Sequence, residues 1–419
     1  MSVEVIISGL GVVSPIGIGL DAVWNALVTK QSGVRTLTAF DVSKLPIRFG
    51  GEVADFDPKL YVKPRKSLKV MSRDIQLAFA AADQAWADGG FASGAFDPER
   101  LGVVFGSDLI HPDPEEMHAA YRQCLDEASE FDGTRWGDAA LREIYPLWML
   151  KHLPNMPACH IGIAIDARGP NNTITLGEVS SAAAVAEALQ TIRRGRADVM
   201  LTGGTGSRIT PTAMLRSTTG PSSRDNTEPQ RASRPFDAGR NGEVNGEGAA
   251  AFVLESADSA RRRGAKPQAK CLGVGSGFGR TSAGGATSET IAAAIRRTLD
   301  DAGLAAADVG FVVAAGRSTM QDDAAEAAAI RAVLGDVPVT APSSFYGNLG
   351  SAAGAVALAV AVAGLKHRTV PPTLNYEVPD PQCAIHVAVD SEPLEKCVAI
   401  VLSHTPMGQS AALAVAAGE

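Results

Sequence analysis

A chain of 419 residues is long for one hydrophobic core and suits two packed halves of about 200 residues each. Its net charge of −8 and an aromatic content of only 5% disfavour nucleic acid and anionic membrane as general partners. Hydrophobic residues at 45% and charged residues at 20% leave room for an ordinary globular interior.

Met1 leads directly into the strand-like run Val3-Glu4-Val5-Ile6-Ile7, so no signal peptide is expected and the cytoplasm is the expected compartment. Further short β-prone runs follow at 101–105, 173–176, 198–202, 248–254, 310–314 and 398–402, separated by Ala-rich helical stretches. This alternation predicts an α/β architecture with buried strands. Residues 108–148 have no counterpart later in the chain. They hold His111-Pro112-Asp113-Pro114, then acidic helical sequence, then Trp136 and Trp148, and read as an inserted cap or partner-contacting surface.

Ser181-Ala182-Ala183-Ala184-Val185 is echoed 170 residues later by Ser351-Ala352-Ala353-Gly354-Ala355. Each opens an Ala-rich helix, and in the first Val185, Leu189 and Ile192 share one face. Two duplicated halves are therefore expected, 1–256 and 257–419, joined near 256–270 where charge and Gly/Pro content rise. The longest apolar stretch, 352–365, is too short to span a bilayer and reads as a helix buried between sheets.

Five widely spaced cysteines without a CxxC pair exclude a disulfide framework and a zinc site, and no metal is expected. Cys159 and His160 are adjacent, but neighbouring side chains diverge in strand and helix alike, so Cys159 reads as a core thiol. The glycine pairs at 203–204 and 284–285 lack the context of a nucleotide loop, and no cofactor is expected. Arg193, Arg194 and Arg196, or Arg261, Arg262 and Arg263, could receive an acidic partner or simply be solvated helix ends.

Longer motifs resemble the β-ketoacyl-acyl-carrier-protein synthases of the thiolase superfamily. Ile7-Ser8-Gly9-Leu10-Gly11-Val12-Val13-Ser14-Pro15-Ile16-Gly17 is similar to that family's opening strand and turn. Ser233-Arg234-Pro235-Phe236-Asp237 with Gly246-Glu247-Gly248-Ala249 resembles the close of its first half, and Pro371-Pro372-Thr373-Leu374-Asn375 a segment of its second. The resemblance runs in order from residue 3 to about 415 and implies a five-layered αβαβα fold, an obligate dimer and an acyl carrier protein as partner.

The resemblance also implies a catalytic set: a cysteine at a helix N-terminus, two histidines and a lysine. Counted forward from Pro170 or backward from Gly195, the cysteine position falls on Glu178. Ala315, in Ala315-Gly316-Arg317-Ser318-Thr319, stands at the first histidine, and Asn348, in Gly347-Asn348-Leu349, at the second. Ser343 stands at the lysine, and His404 opens the loop that replaces a glycine-rich gate. Losing one acid/base group costs about 10²–10⁴ in rate; here every member of the set is replaced. No catalytic residue is expected.

This pattern resembles the chain length factors of type II polyketide synthases, silent subunits that pair with an active ketosynthase and shape its acyl tunnel. Glu178 departs from the glutamine usual in those proteins. Two other readings stay open: a homodimeric pseudo-ketosynthase that binds acyl chains or carrier protein, and an enzyme using Glu178 for decarboxylation or hydrolysis. For Glu178 itself, hydrogen bonding to helix N–H groups or a contact across the dimer axis is the expected structural role.

Overall fold

The computed structural model describes residues 3–91, 96–282 and 284–418; Met1, which leads into the first predicted strand, lies outside them. Two sheets carry the molecule. In the first, the order from the edge is Asn171–Ile174, Leu101–Gly106, Val199–Ser207, Glu247–Ser256, Val5–Ser14. Its first three strands run parallel and the last two add antiparallel. In the second, Pro338–Thr340, Phe311–Val313, Val398–His404, Gln409–Ala417 and Ala269–Phe278 repeat that order and those directions. The sheets meet through three residue pairs, Val5–Cys271, Ile6–Lys270 and Ile7–Ala269.

Side-chain alternation along the strands builds three separate cores, because successive residues of a strand face opposite sides. Ala250, Phe252 and Leu254 enter the central core, while Ala249, Ala251 and Val253 enter an outer one. Val401 faces the centre, and Ile400 and Leu402 a third core on the far side. The central layer is filled by two helices, Ser180–Arg193 and Ala353–His367. The outer layers are Arg73–Asp88 with Met156–Ala164, and Ser288–Ala302 with Met320–Leu334. The result is the five-layered αβαβα thiolase-like arrangement that the resemblance implied.

The echoed serines explain how the central helices meet. Ser181 Oγ accepts a hydrogen bond from Ala355 N at 2.9 Å, so each helix start lies against the other. A Cβ on Gly204 would fall 2.4 Å from that of Ser181, which keeps a bare backbone under the crossing. Ala353–His367 is apolar enough to resemble a membrane span by composition, yet it is buried among the sheets.

Some elements escaped the sequence pattern. Ala269–Phe278, Pro338–Thr340 and Gln409–Ala417 are strands rich in Gly, Ala or Pro, residues that carry little β preference by themselves. Gly275 shows the compensation: an added Cβ would lie 2.3 Å from Ala294 O, so helix Ser288–Ala302 packs directly on the strand backbone. The strand expected at 173–176 is Asn171–Ile174 instead, and residues 175 and 176 lead into the turn before Glu178.

Within 108–148, helices Pro114–Gln123 and Trp136–Glu143 pack on each other around Ala120, Cys124 and Ala139. Leu141, Leu147 and Met149 remain exposed in or beside this segment.

Candidate functional site

Glu178 lies in a tight turn, Gly177–Val179, that runs straight into helix Ser180–Arg193. Gly177 adopts φ +58°, and Ser180 Oγ closes the turn by accepting from Leu176 N at 2.8 Å and donating to Gly177 O at 2.6 Å. The matching turn of the second half, Gly350–Ala352, opens helix Ala353–His367 and is preceded by Asn348. Asn348 Oδ1 accepts from Gly350 N at 2.9 Å, which frees its amide to donate to Glu178 Oε1 at 3.2 Å and to Glu243 Oε2 at 3.1 Å.

The Ala315–Thr319 loop follows strand Phe311–Val313, and Glu326 fixes it by accepting from Ala315 N at 2.8 Å and Gly316 N at 2.9 Å. That places Arg317 3.2 Å from Glu178 and in contact with Glu243, with its Nε 3.2 Å from Asp322. Arg208, just past strand Val199–Ser207, reaches Glu178 at 3.5 Å and Glu243 at 3.0 Å. Three carboxyl groups and two guanidinium groups thus share one buried network.

Burial alone would raise the Glu178 carboxyl, but Arg317 and Arg208 outweigh it and hold the group down at about 2. Arg317 is pushed the other way: burial disfavours its charge, and Glu243, Glu178 and Asp322 more than restore it. A carboxylate that acidic is a poor proton acceptor, since a general base works best with a pKa near the operating pH. Nor can it form a transferable thioester. Its main partners are side chains from other segments rather than the N–H groups of its own helix, one of the two contacts expected from sequence.

Ser343 and His404 complete the cluster. Ser343 Oγ donates to Gly316 O at 2.5 Å. His404 is only 1% exposed, its Nε2 3.5 Å from Glu326, and its backbone carbonyl accepts from Arg317 at 3.2 Å. Burial disfavours the imidazolium, yet Glu326 prevails and keeps His404 above its ordinary value. His404 therefore packs inward, and the loop after it is a closed hairpin turn in which Gly408 N bonds Thr405 O at 3.1 Å.

All five positions singled out from sequence, Glu178, Ala315, Ser343, Asn348 and His404, line one inner cavity of about 40 Å³. That holds a water or two and no acyl chain. Outside it lies an open groove of about 900 Å³, bordered by Asp108 and His111 of the inserted segment, by Arg208 and Arg216, and by Met320 and Pro406. Sequence reasoning missed Arg208, Glu243 and Asp322. Arg317 was in view, since a charged residue in an otherwise small-residue motif was the available signal.

Half of the proposed basic residues are already paired within the chain. Arg193 binds Asp301 and Leu272 O, Arg263 binds Glu255 and Gly89 O, and Arg261 binds Asp258. Lys63, Arg65, Lys66 and Lys69 form another exposed basic run, just before Asp74 at the groove. Cys159 lies half-buried on helix Met156–Ala164.

Two family models cover nearly the whole chain: the β-ketoacyl synthase N-terminal domain over residues 2–260 and the C-terminal domain over 269–377. The chain belongs to the β-ketoacyl synthase family. Among curated relatives of this family, the tetracenomycin polyketide synthase ketoacyl synthase alpha subunit of Streptomyces glaucescens is 34% identical over 91% of this chain and 89% of its own. The 3-oxoacyl-[acyl-carrier-protein] synthase 2 of Coxiella burnetii is 33% identical over 96% and 95%. Among solved β-ketoacyl synthase structures, the ishigamide ketosynthase/chain length factor matches with a TM-score of 0.87, at 27% identity over 100% of both chains. These relatives carry the names of a ketoacyl synthase alpha subunit and a 3-oxoacyl-[acyl-carrier-protein] synthase, so family membership alone does not make a chain silent.

Proposed function

We propose that this chain is the non-catalytic member of a ketosynthase pair, a chain-length-factor-like subunit that shapes the acyl tunnel for carrier-bound polyketide or fatty-acid-like chains. One observation carries the reading. At the position where the resemblance implies the nucleophilic cysteine stands an ionised Glu178, held by Arg317, Arg208 and Asn348. The positions of the histidines and the lysine are filled by Ala315, Asn348 and Ser343, none of which carries a group that titrates near neutral pH or a cationic side chain.

The surface supports pairing. Strand Asn171–Ile174 is bonded on one side only among the described residues, and an unpaired strand edge is a template for another chain. Beside it Ile163 is 79% exposed and Leu176 42%. An obligate pair would bury about 2,000–5,000 Å² there. The run from Lys63 to Lys69 offers an acidic carrier protein a basic surface on an otherwise acidic molecule. The cytoplasm is the setting we propose.

Co-expression with a candidate partner ketosynthase, followed by native mass spectrometry, tests the reading. A one-to-one heterodimer is expected. A homodimer that persists at low concentration and never exchanges with the synthase would favour the homodimeric pseudo-ketosynthase. Turnover of malonyl- or acyl-carrier protein that vanishes in Glu178→Ala would make Glu178 catalytic and overturn the proposal.

A further inference from the structure

Loop 314–319 is gripped from two sides. Glu326, on helix Met320–Leu334, accepts from the Ala315 and Gly316 N–H groups at 2.8 and 2.9 Å. His404 ends strand Val398–His404; its Nε2 lies 3.5 Å from the same carboxylate, and its carbonyl accepts from Arg317 at 3.2 Å. Both side chains are sealed from solvent, at 1% and 0% exposure. Neither ring nitrogen of His404 has a hydrogen-bond partner among the described residues, so its hold on Glu326 rests on opposite charge.

No neighbouring charge can take over that role. Arg317 disfavours a proton on His404 and is already shared by Glu178, Glu243 and Asp322. Asp322, on the same helix as Glu326, favours the proton, and Glu178 lines the inner cavity together with His404. While His404 is protonated, four carboxylates (Glu178, Glu243, Asp322 and Glu326) meet three cations, Arg208, Arg317 and His404. Once it is neutral they meet two. A buried carboxylate stripped of its cation is strongly unfavourable, and local opening toward water relieves it.

We propose that the His404–Glu326 pair is a proton-operated clamp on loop 314–319, tight while His404 carries its proton and loosened when the proton leaves. Burial disfavours the imidazolium, but Glu326 outweighs it and holds His404 above its ordinary value. Release therefore comes as pH rises through that raised value, and the loop that carries Arg317 is firm on the acid side of it. Asp323, on the same helix, also titrates near neutrality, because burial pushes it up to about 7. It bonds Phe236 N at 2.8 Å and lies 3.5 Å from Arg240, so its proton acts on a different segment. The clamp operates whether or not the chain pairs with a synthase.

Amide hydrogen exchange of the full chain at pH 6 and pH 9, read by mass spectrometry on peptides covering the loop, tests the clamp. Each rate is divided by the intrinsic rate, which itself rises with pH. Protection of the loop should fall at least tenfold between the two, while that of strand Val199–Ser207 holds. In His404→Gln the loop should be weakly protected at both pH values, with no step between them. Asp323→Asn removes the rival titration and should keep the step; it also serves if His404→Gln does not fold. Equal loop protection at both pH values, or a fall shared with strand Val199–Ser207, overturns the clamp. So does a step that survives His404→Gln or vanishes in Asp323→Asn.

Discussion

The two halves repeat one strand order and one buried helix, yet they finish at opposite kinds of edge. In the second half His386–Val387 pairs with Pro338–Thr340 and covers it. In the first, Asn171–Ile174 has no such cover among the described residues, and its side chains are exposed or half-exposed. The connections differ as well. Strand Phe311–Val313 reaches its outer helix through one short loop, 314–319, whereas the equivalent connection of the first half includes the helical insert within 108–148. Duplication supplies a scaffold with two helix starts face to face, and departures from the duplication decide what the molecule can touch. The first half offers an edge and Glu178; the second contributes Arg317 and Asn348, which hold that carboxylate.

The largest expected effect strikes the network between the halves. Arg317→Ala leaves Glu178 and Glu243 buried with one cation fewer, and breaking such a pair costs about 3–5 kcal/mol. Urea unfolding of the variant checks it; a loss below 1 kcal/mol would show that the network relaxes into solvent.

Next come the edges themselves. Ile163→Asp together with Leu176→Asp should weaken assembly with a partner by about 2–4 kcal/mol, the range of interface hot spots. His386→Asp at the covered edge should leave assembly unchanged. Equal losses from both would erase the distinction, and titration by native mass spectrometry or calorimetry separates them.

The pH dependence carries opposite signs on the two sides of the site. Glu178 has a depressed folded value, so its contribution is present above about 4.5 and is lost as pH falls toward about 2. Integrated over that shift it is about 3 kcal/mol at most. Glu178→Gln should flatten the acid limb of a stability–pH curve. His404 has a raised folded value, so its contribution is complete below about 6.5 and disappears as pH rises through that raised value. His404→Gln should flatten the neutral-to-alkaline limb and leave the acid limb intact.

The smallest effects test the duplication. Gly11 in Val5–Ser14 and Gly275 in Ala269–Phe278 each lie under an outer helix, with an added Cβ 2.1 Å from Ala81 O and 2.3 Å from Ala294 O. Alanine at either should cost about 1–3 kcal/mol by overpacking, and by similar amounts. A large loss at one and none at the other would mean that the halves do not pack equivalently.

Alternating strand and helix patterns, the paired Ser181 and Ser351 segments, and the spacings that pick out Glu178, Ala315, Ser343, Asn348 and His404 were all legible in the chain itself. Such features are local or additive: side-chain period, turn chemistry and a fixed count along the chain survive without knowledge of contacts. Strands such as Ala269–Phe278 were not legible, because their glycines are chosen by a helix far away in sequence. The ion network was hidden for the same reason. Glu178, Arg208, Glu243 and Arg317 lie on four separate segments, and only the meeting of the two central helices brings their charges within 4 Å. Sequence alone therefore determined the family scaffold and five positions that line one cavity. The tertiary structure decided that Glu178 is an ionised, tightly paired group, since a carboxyl's charge depends on its neighbours in space and not on its place in the chain.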